Sequence, residues 1–129
     1  MVYFVGAGTG AVDLITVRGM HLLEQADVII YAGSLVNPEL LQYAKKDCVI
    51  HDSAKLTLEE VLTVMQKAEA DGKLTVRLHT GEPSIYGAVR EQRKCAICWR
   101  IITMAGICWH WQDIKGKNFQ KQQVEKCIT

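Results

Sequence analysis

Apolar residues recur in short runs at 2–5, 28–31, 48–51 and 74–78, and stretches with helical spacing lie between them. The run at 28–31 is continuously apolar, as expected of a strand covered on both faces. Val17, Met20 and Leu23 or Glu24 trace a helix over 17–25. Asn37-Pro38 reads as an N-cap followed by proline at the first helical position, which predicts a helix over 38–45. Thr57-Leu58-Glu59-Glu60 is a capping box, in which hydroxyl and carboxylate each satisfy a free amide of the first turn. The helix it opens places Leu58, Val61, Leu62, Met65 and Ala68 on one face and stops at Asp71-Gly72. The last run passes through His79 into Thr80-Gly81-Glu82-Pro83, and a further helix begins near Ser84. Strand and helix alternate throughout, so the fold class is α/β: a mostly parallel sheet with flanking helices and right-handed crossovers.

Composition narrows this picture. A chain of 129 residues is one domain by size, and 49% hydrophobic content with a net charge of +1 marks a folded globular protein. That charge gives no support for nucleic-acid binding. No apolar run approaches the roughly 18 residues of a membrane span. The amino terminus enters a strand without the pattern of a signal peptide, so no membrane partner and a cytoplasmic location are expected.

In a parallel sheet all four strands deliver their loops to one edge, so 6–10, 32–34, 51–53 and 80–83 share it. Open α/β sheets bind ligands there. Glycines, hydroxyls and few charges suit a mostly neutral, folded cofactor. Gly6, Gly8 and Ala11 also satisfy the G-x-G-x-x-A dinucleotide pattern. That pattern requires a helix opening directly on the glycines and an acid after the second strand. Here the helix starts near Thr16, no acid stands at Tyr31-Ala32, and Asp27 precedes the strand. Other polar residues have plain roles. His51 and His79 read as hydrogen-bonded scaffold and His21 as exposed. Tyr31 and Tyr86 pack on the sheet, and Asp52-Ser53 caps a turn. Arg77, Arg90 and Lys55 either meet substrate carboxylates or are solvated at the surface, the latter being the commoner role.

Taken together, Tyr3-Phe4-Val5-Gly6-Ala7-Gly8, Asp13-Leu14-Ile15-Thr16-Val17, Tyr31-Ala32-Gly33-Ser34-Leu35-Val36 and His79-Thr80-Gly81-Glu82-Pro83-Ser84 resemble the tetrapyrrole methylases. Tyr31 to Val36 and His51-Asp52-Ser53-Ala54 look most like the branch that methylates precorrin-4 or cobalt-precorrin-4 at C11. The resemblance implies a transferase of porphyrin and cobalamin biosynthesis that uses S-adenosylmethionine, takes a tetrapyrrole substrate and is a homodimer at full length. It implies donor contacts at Thr9, Thr80, Gly81, Glu82 and Ile85, and substrate contacts at Gly8, Gly10 and Ser34. Where the family usually reads Gly-Pro-Gly-Asp-Pro-Asp, this chain has Gly8-Thr9-Gly10-Ala11-Val12-Asp13, and Glu82 stands where an aspartate is usual. Methyl transfer from a sulfonium needs alignment above all, so neither a catalytic dyad nor a metal is expected.

The resemblance runs from residue 2 to Gln92, which sets a family-like domain at 1–92 and a divergent tail at 93–129. The tail holds Trp99, Trp109 and Trp111 and the cysteines Cys95, Cys98, Cys108 and Cys127. The family's next strand and its Val-Pro-Gly-Val-Ser turn are not recognisable there, and a peripheral helix is expected around Ile101, Ile102 and Met104. The abrupt shift in composition suggests a reading-frame change near Gln92, with the second domain missing and the chain inactive as it stands. The alternative is a non-catalytic relic or interaction half-domain. A zinc site on Cys95, Cys98, Cys108 and His110, or a redox role for Cys95 and Cys98, is weighed beside it. With no secretion signal, the five cysteines read as free thiols.

Overall fold

A computed structural model describes residues 1–81 in full and the backbone of 99–102 and 108–111. Strands β1 (Val2–Gly6), β2 (Val28–Tyr31), β3 (Val49–Asp52) and β4 (Thr75–His79) are parallel. With β5 (Trp99–Ile102) and β6 (Cys108–Trp111) they form a six-stranded sheet of order β3-β2-β4-β1-β5-β6. Only the last pair is antiparallel. The expected α/β class is therefore observed, with β4 as an inner strand between β1 and β2.

Alternation divides the core into two layers. Val5, Ala7, Ile29, Val76 and Leu78 pack with Leu23 and Ala26 of and after α1 (Val17–Gln25), and with Leu40. On the opposite face Val2, Phe4, Val28 and Ile30 pack with Val61, Met65 and Ala68 of α2 (Leu58–Ala70). Each such fully buried side chain contributes about 1.5–3 kcal/mol of transfer free energy. Gly19 lets α1 approach closely: a Cβ there would stand 2.9 Å from Val5 Cγ1.

Helix ends follow their capping residues. Thr16 accepts from Gly19 N at 3.0 Å, so α1 starts after it and not on the glycines. Both halves of the Thr57–Glu60 capping box are present. At the amino edge Asp27 Oδ2 accepts from Leu74 N at 2.9 Å, and its other oxygen accepts from Lys45 Nζ. These bonds, the Lys45 contact foremost, hold its carboxyl below the usual range.

Three expectations change. The segment after Asn37 is a 3-10 helix, Pro38–Tyr43, and not an α-helix to residue 45. Asn37 caps it as expected, but Ala44 turns extended, too soon for an α-helical segment to develop. Second, Ile101 and Ile102 lie in β5 beside Phe4 and Val5, and not in a helix. β-Branched residues suit a strand, and the edge of β1 offers unpaired backbone groups. A strand thus stands beside β1 although none was recognised in the sequence. Third, Arg77 is buried, not solvated, at 6% exposure. Strand alternation points it into the α2 layer. Met104, Tyr86, Arg90, Cys95, Cys98 and Cys127 lie outside the described residues, as do the side chains of Cys108 and His110.

Candidate functional site

The carboxyl ends of β1 and β4 are joined by backbone bonds that continue past the strands. Ala7 N donates to His79 O at 2.7 Å, and Gly81 N donates to Gly8 O at 3.2 Å. Gly8 is at φ +77°, and a Cβ there would meet Leu14 O at 2.9 Å. It is a packing glycine, fixed against the 3-10 turn Val12–Leu14. Gly10 and Gly81 differ: both have positive φ, +124° and +58°, yet among the described residues nothing lies within 4 Å of where a Cβ would be. No described residue covers their backbones, so among the described residues a ligand can approach them.

The loops after β2 and β3 form a second joined pair. Gly33 is at φ +55°, and a Cβ there would meet Ala54 Cβ at 2.7 Å and Asp52 Oδ1 at 3.0 Å. Asp52 Oδ1 accepts from Ala54 N at 2.9 Å, the turn cap expected of Asp52-Ser53. Asn37 holds the first glycine loop in place. Its Nδ2 donates to Gly10 O at 2.7 Å while Oδ1 accepts from Glu39 N at 3.0 Å. That clamp was missed in the sequence, where Asn37 read only as a cap. The link spans 27 positions, and no local pattern encodes it.

The described part of the edge therefore gathers Gly8, Thr9, Gly10, Thr80 and Gly81 on the β1 and β4 loops. Ser34 stands apart, exposed on the β2 loop. Glu82 and Ile85 lie outside the described residues.

Beneath the β4 loop runs a stripe that sequence reading did not identify. Thr75, Arg77 and His79 occupy alternate positions of an inner strand and are buried among apolar neighbours. Arg77 Nη1 donates to Ile30 O at 3.1 Å, and burial lowers its pKa to about 10. The His79 ring stacks on Phe4, with centroids 5.8 Å apart. Burial first, and the Arg77 charge second, push its pKa down to about 3, so the ring is neutral at pH 7. His79 is thus buried against the core, but the hydrogen bond expected of a scaffold histidine is not seen at Nε2, which has no partner among the described residues. His21 is exposed, 3.1 Å from Glu24. Among the described residues no group of three or more His, Cys, Asp or Glu side chains gathers, and no helix is long and apolar enough to cross a membrane.

Comparison with known proteins agrees with this geometry. The family model described as Tetrapyrrole (Corrin/Porphyrin) Methylases matches residues 1–103, running past Gln92 into β5. A cobalt-precorrin-4 C(11)-methyltransferase of Methanocaldococcus jannaschii is 59% identical over 91 residues, which is 70% of this chain and 35% of the relative. A precorrin-4 C(11)-methyltransferase of Mycobacterium tuberculosis is 48% identical, over 70% of this chain and 36% of the relative. The chain thus spans about a third of the length of these curated relatives. A crystal structure of a cobalt precorrin-4 methyltransferase superimposes with a TM-score of 0.75 at 40% identity, over 79% of this chain and 44% of that one. A uroporphyrin-III C-methyltransferase from Thermus thermophilus, complexed with S-adenosylhomocysteine, gives 0.63 at 27%, over 79% and 43%.

Proposed function

This chain belongs to the tetrapyrrole (corrin/porphyrin) methylases, and on that premise we propose that it forms the methyl-donor edge of an S-adenosylmethionine-dependent C-methyltransferase. The substrate is precorrin-4 or cobalt-precorrin-4, methylated at C11 in cobalamin biosynthesis. The observation that carries the substrate is the 59% identity over 91 residues to a cobalt-precorrin-4 C(11)-methyltransferase. The donor is supported by the S-adenosylhomocysteine complex of the Thermus neighbour.

The residues present fit such a donor. No described residue covers the face of Gly81 where a Cβ would stand, which lets the donor lie close against the backbone there, and Gly10 offers the tetrapyrrole the same. When bound, S-adenosylmethionine supplies an electrophilic methyl group on a sulfonium. In this reading Thr9, Thr80 and Gly81, with Glu82 and Ile85, hold the donor. Gly8, Gly10 and Ser34 face the tetrapyrrole. The Gly8–Gly81 bond fixes the two loops relative to each other, so that donor and acceptor meet in one geometry.

A second reading, that these 129 residues alone are a non-catalytic half-domain, is favoured by the third of the relatives' length that they span. Titration calorimetry of S-adenosylhomocysteine into the purified chain separates the two. The enzymatic reading expects measurable binding that Gly81→Val weakens about tenfold, because a β-branched residue at φ +58° is strained and covers the open face. No heat from a chain with folded far-UV circular dichroism overturns the enzymatic reading and leaves the half-domain.

A further inference from the structure

A second feature of the same edge lies on the side away from Gly81. A depression of about 380 Å³ wraps the carboxyl end of β3, lined by Tyr31, Ile50, His51, Asp52, Lys55 and Leu56. It shares its rim with the β2 loop, because Gly33 is stacked on Asp52 and Ala54. Its volume falls within the range of small-molecule sites.

The chemistry of the lining is selective. Ile50 and Leu56 supply apolar wall, and Ile50 remains 42% exposed although it lies in a strand. Tyr31 and His51 bring a phenol and an imidazole, each able to donate a hydrogen bond when neutral. Lys55 brings a cation. Among the described residues the ion pairs are Met1 with Glu69, His21 with Glu24 and Lys45 with Asp27, and Lys55 takes part in none. The only acid of the lining, Asp52, already accepts from Ala54 N through Oδ1. One uncommitted cation and two hydrogen-bond donors beside apolar wall match an anionic arm on an apolar ring. An isolated anion would have no use for the wall.

We propose that this depression is a subsite for a carboxylate-bearing ring edge of the tetrapyrrole substrate, with Lys55 as its counter-charge and Tyr31 and His51 as hydrogen-bond donors. The inference rests on the methyltransferase reading and deepens it. The depression takes one arm of the substrate at the β3 end of the sheet edge, while the donor lies at the β4 end. Distance along the edge separates the two ligands, and the charge on Lys55 fixes which way round the ring lies. Charge-assisted bonds to carboxylate are the stronger kind, and a lysine serves as a point charge for them.

The test uses the full chain and uroporphyrin, a soluble tetrapyrrole octacarboxylate, followed by its own fluorescence anisotropy. Binding is expected, with Lys55→Gln weakening it about tenfold, Lys55→Arg restoring most of it, and added salt weakening the parent more than Lys55→Gln. Tyr31→Phe should cost less than Lys55→Gln. Equal affinity of parent and Lys55→Gln, or no binding to the parent, overturns the subsite. Displacement of uroporphyrin by an equal concentration of citrate overturns its assignment to a ring edge in favour of free carboxylates. Titration of S-adenosylhomocysteine on the same sample keeps the two readings apart. Donor binding with uroporphyrin indifferent to Lys55 removes this inference alone, whereas a folded chain that binds no donor removes the reading beneath it.

Discussion

The two faces of the sheet meet in β4, where they are unlike. Val76 and Leu78 point into the α1 layer, which is apolar throughout, and both are fully buried. Thr75, Arg77 and His79 point into the α2 layer and are as deeply buried, but polar. Thr75 Oγ1, Arg77 Nε and His79 Nε2 have no hydrogen-bond partner among the described residues. Buried polar groups left unpaired cost stability, typically 1–3 kcal/mol each. Both layers bury apolar side chains, but the α2 layer also buries three polar ones directly beneath the loop proposed to hold the donor. Identical strand geometry supports both, so the difference lies in side-chain chemistry and not in topology.

The comparison can be broken by perturbing each face separately. The largest effect is expected from Leu78→Ala, which removes a side chain of 0% exposure and leaves a cavity. It should lower stability by about 2–5 kcal/mol. Urea unfolding should show the midpoint falling with an unchanged slope, and the loss should be the same at pH 5 and pH 8. Acid probes the other face. The folded pKa of His79, about 3, lies below its ordinary 6.5, so the unfolded chain takes up the proton first. Its contribution is complete above about pH 6.5 and is lost as pH falls toward 3. The slope approaches about 1.4 kcal/mol per pH unit, or roughly 2 kcal/mol between pH 6.5 and 5. His79→Phe should flatten that part of the stability–pH curve, and a curve identical to the parent's would show that the ring is not desolvated. The smallest effect is expected from Gly19→Ala in the α1 layer. The new methyl meets Val5 Cγ1 at 2.9 Å, and overpacking of about 1–3 kcal/mol is offset by about 1 kcal/mol of helix propensity. A net loss near 1 kcal/mol in thermal unfolding would place this contact among the tightest of the α1 layer, and a gain would show that α1 can shift.

Legibility of the fold followed the strength of local signals. β2 was read to the residue, because a continuous apolar run bounded by Asp27 and Ala32 has few alternatives. The starts of α1 and α2 were readable from Thr16 and Thr57, whose hydroxyls satisfy amides within three residues. Pro38–Tyr43 defeated the same logic, since Asn37-Pro38 marks a helical start without choosing between 3-10 and α geometry. β5 was missed because Ile101-Ile102 is as compatible with a helix as with a strand until the free edge of β1 is placed beside it. At the edge, loop membership was legible from strand ends. The separate pairings, β1 with β4 and β2 with β3, were not.

By itself the sequence determined the alternation of elements, the caps, the set of loops that share one edge, and the motifs by which the family is recognised. Each of these depends on residues close in the chain, whose chemistry acts before any tertiary contact exists. Only the tertiary structure decided that Arg77 is buried beside Ile30, that Asn37 clamps Gly10, that Gly8 is filled against while no described residue covers Gly81, and that Lys55 borders a depression with Tyr31. These facts depend on which strands become neighbours, and therefore on which side chains are denied water. Strand order is set by the packing of two helical layers on opposite faces of the sheet, a balance that no short stretch of sequence contains.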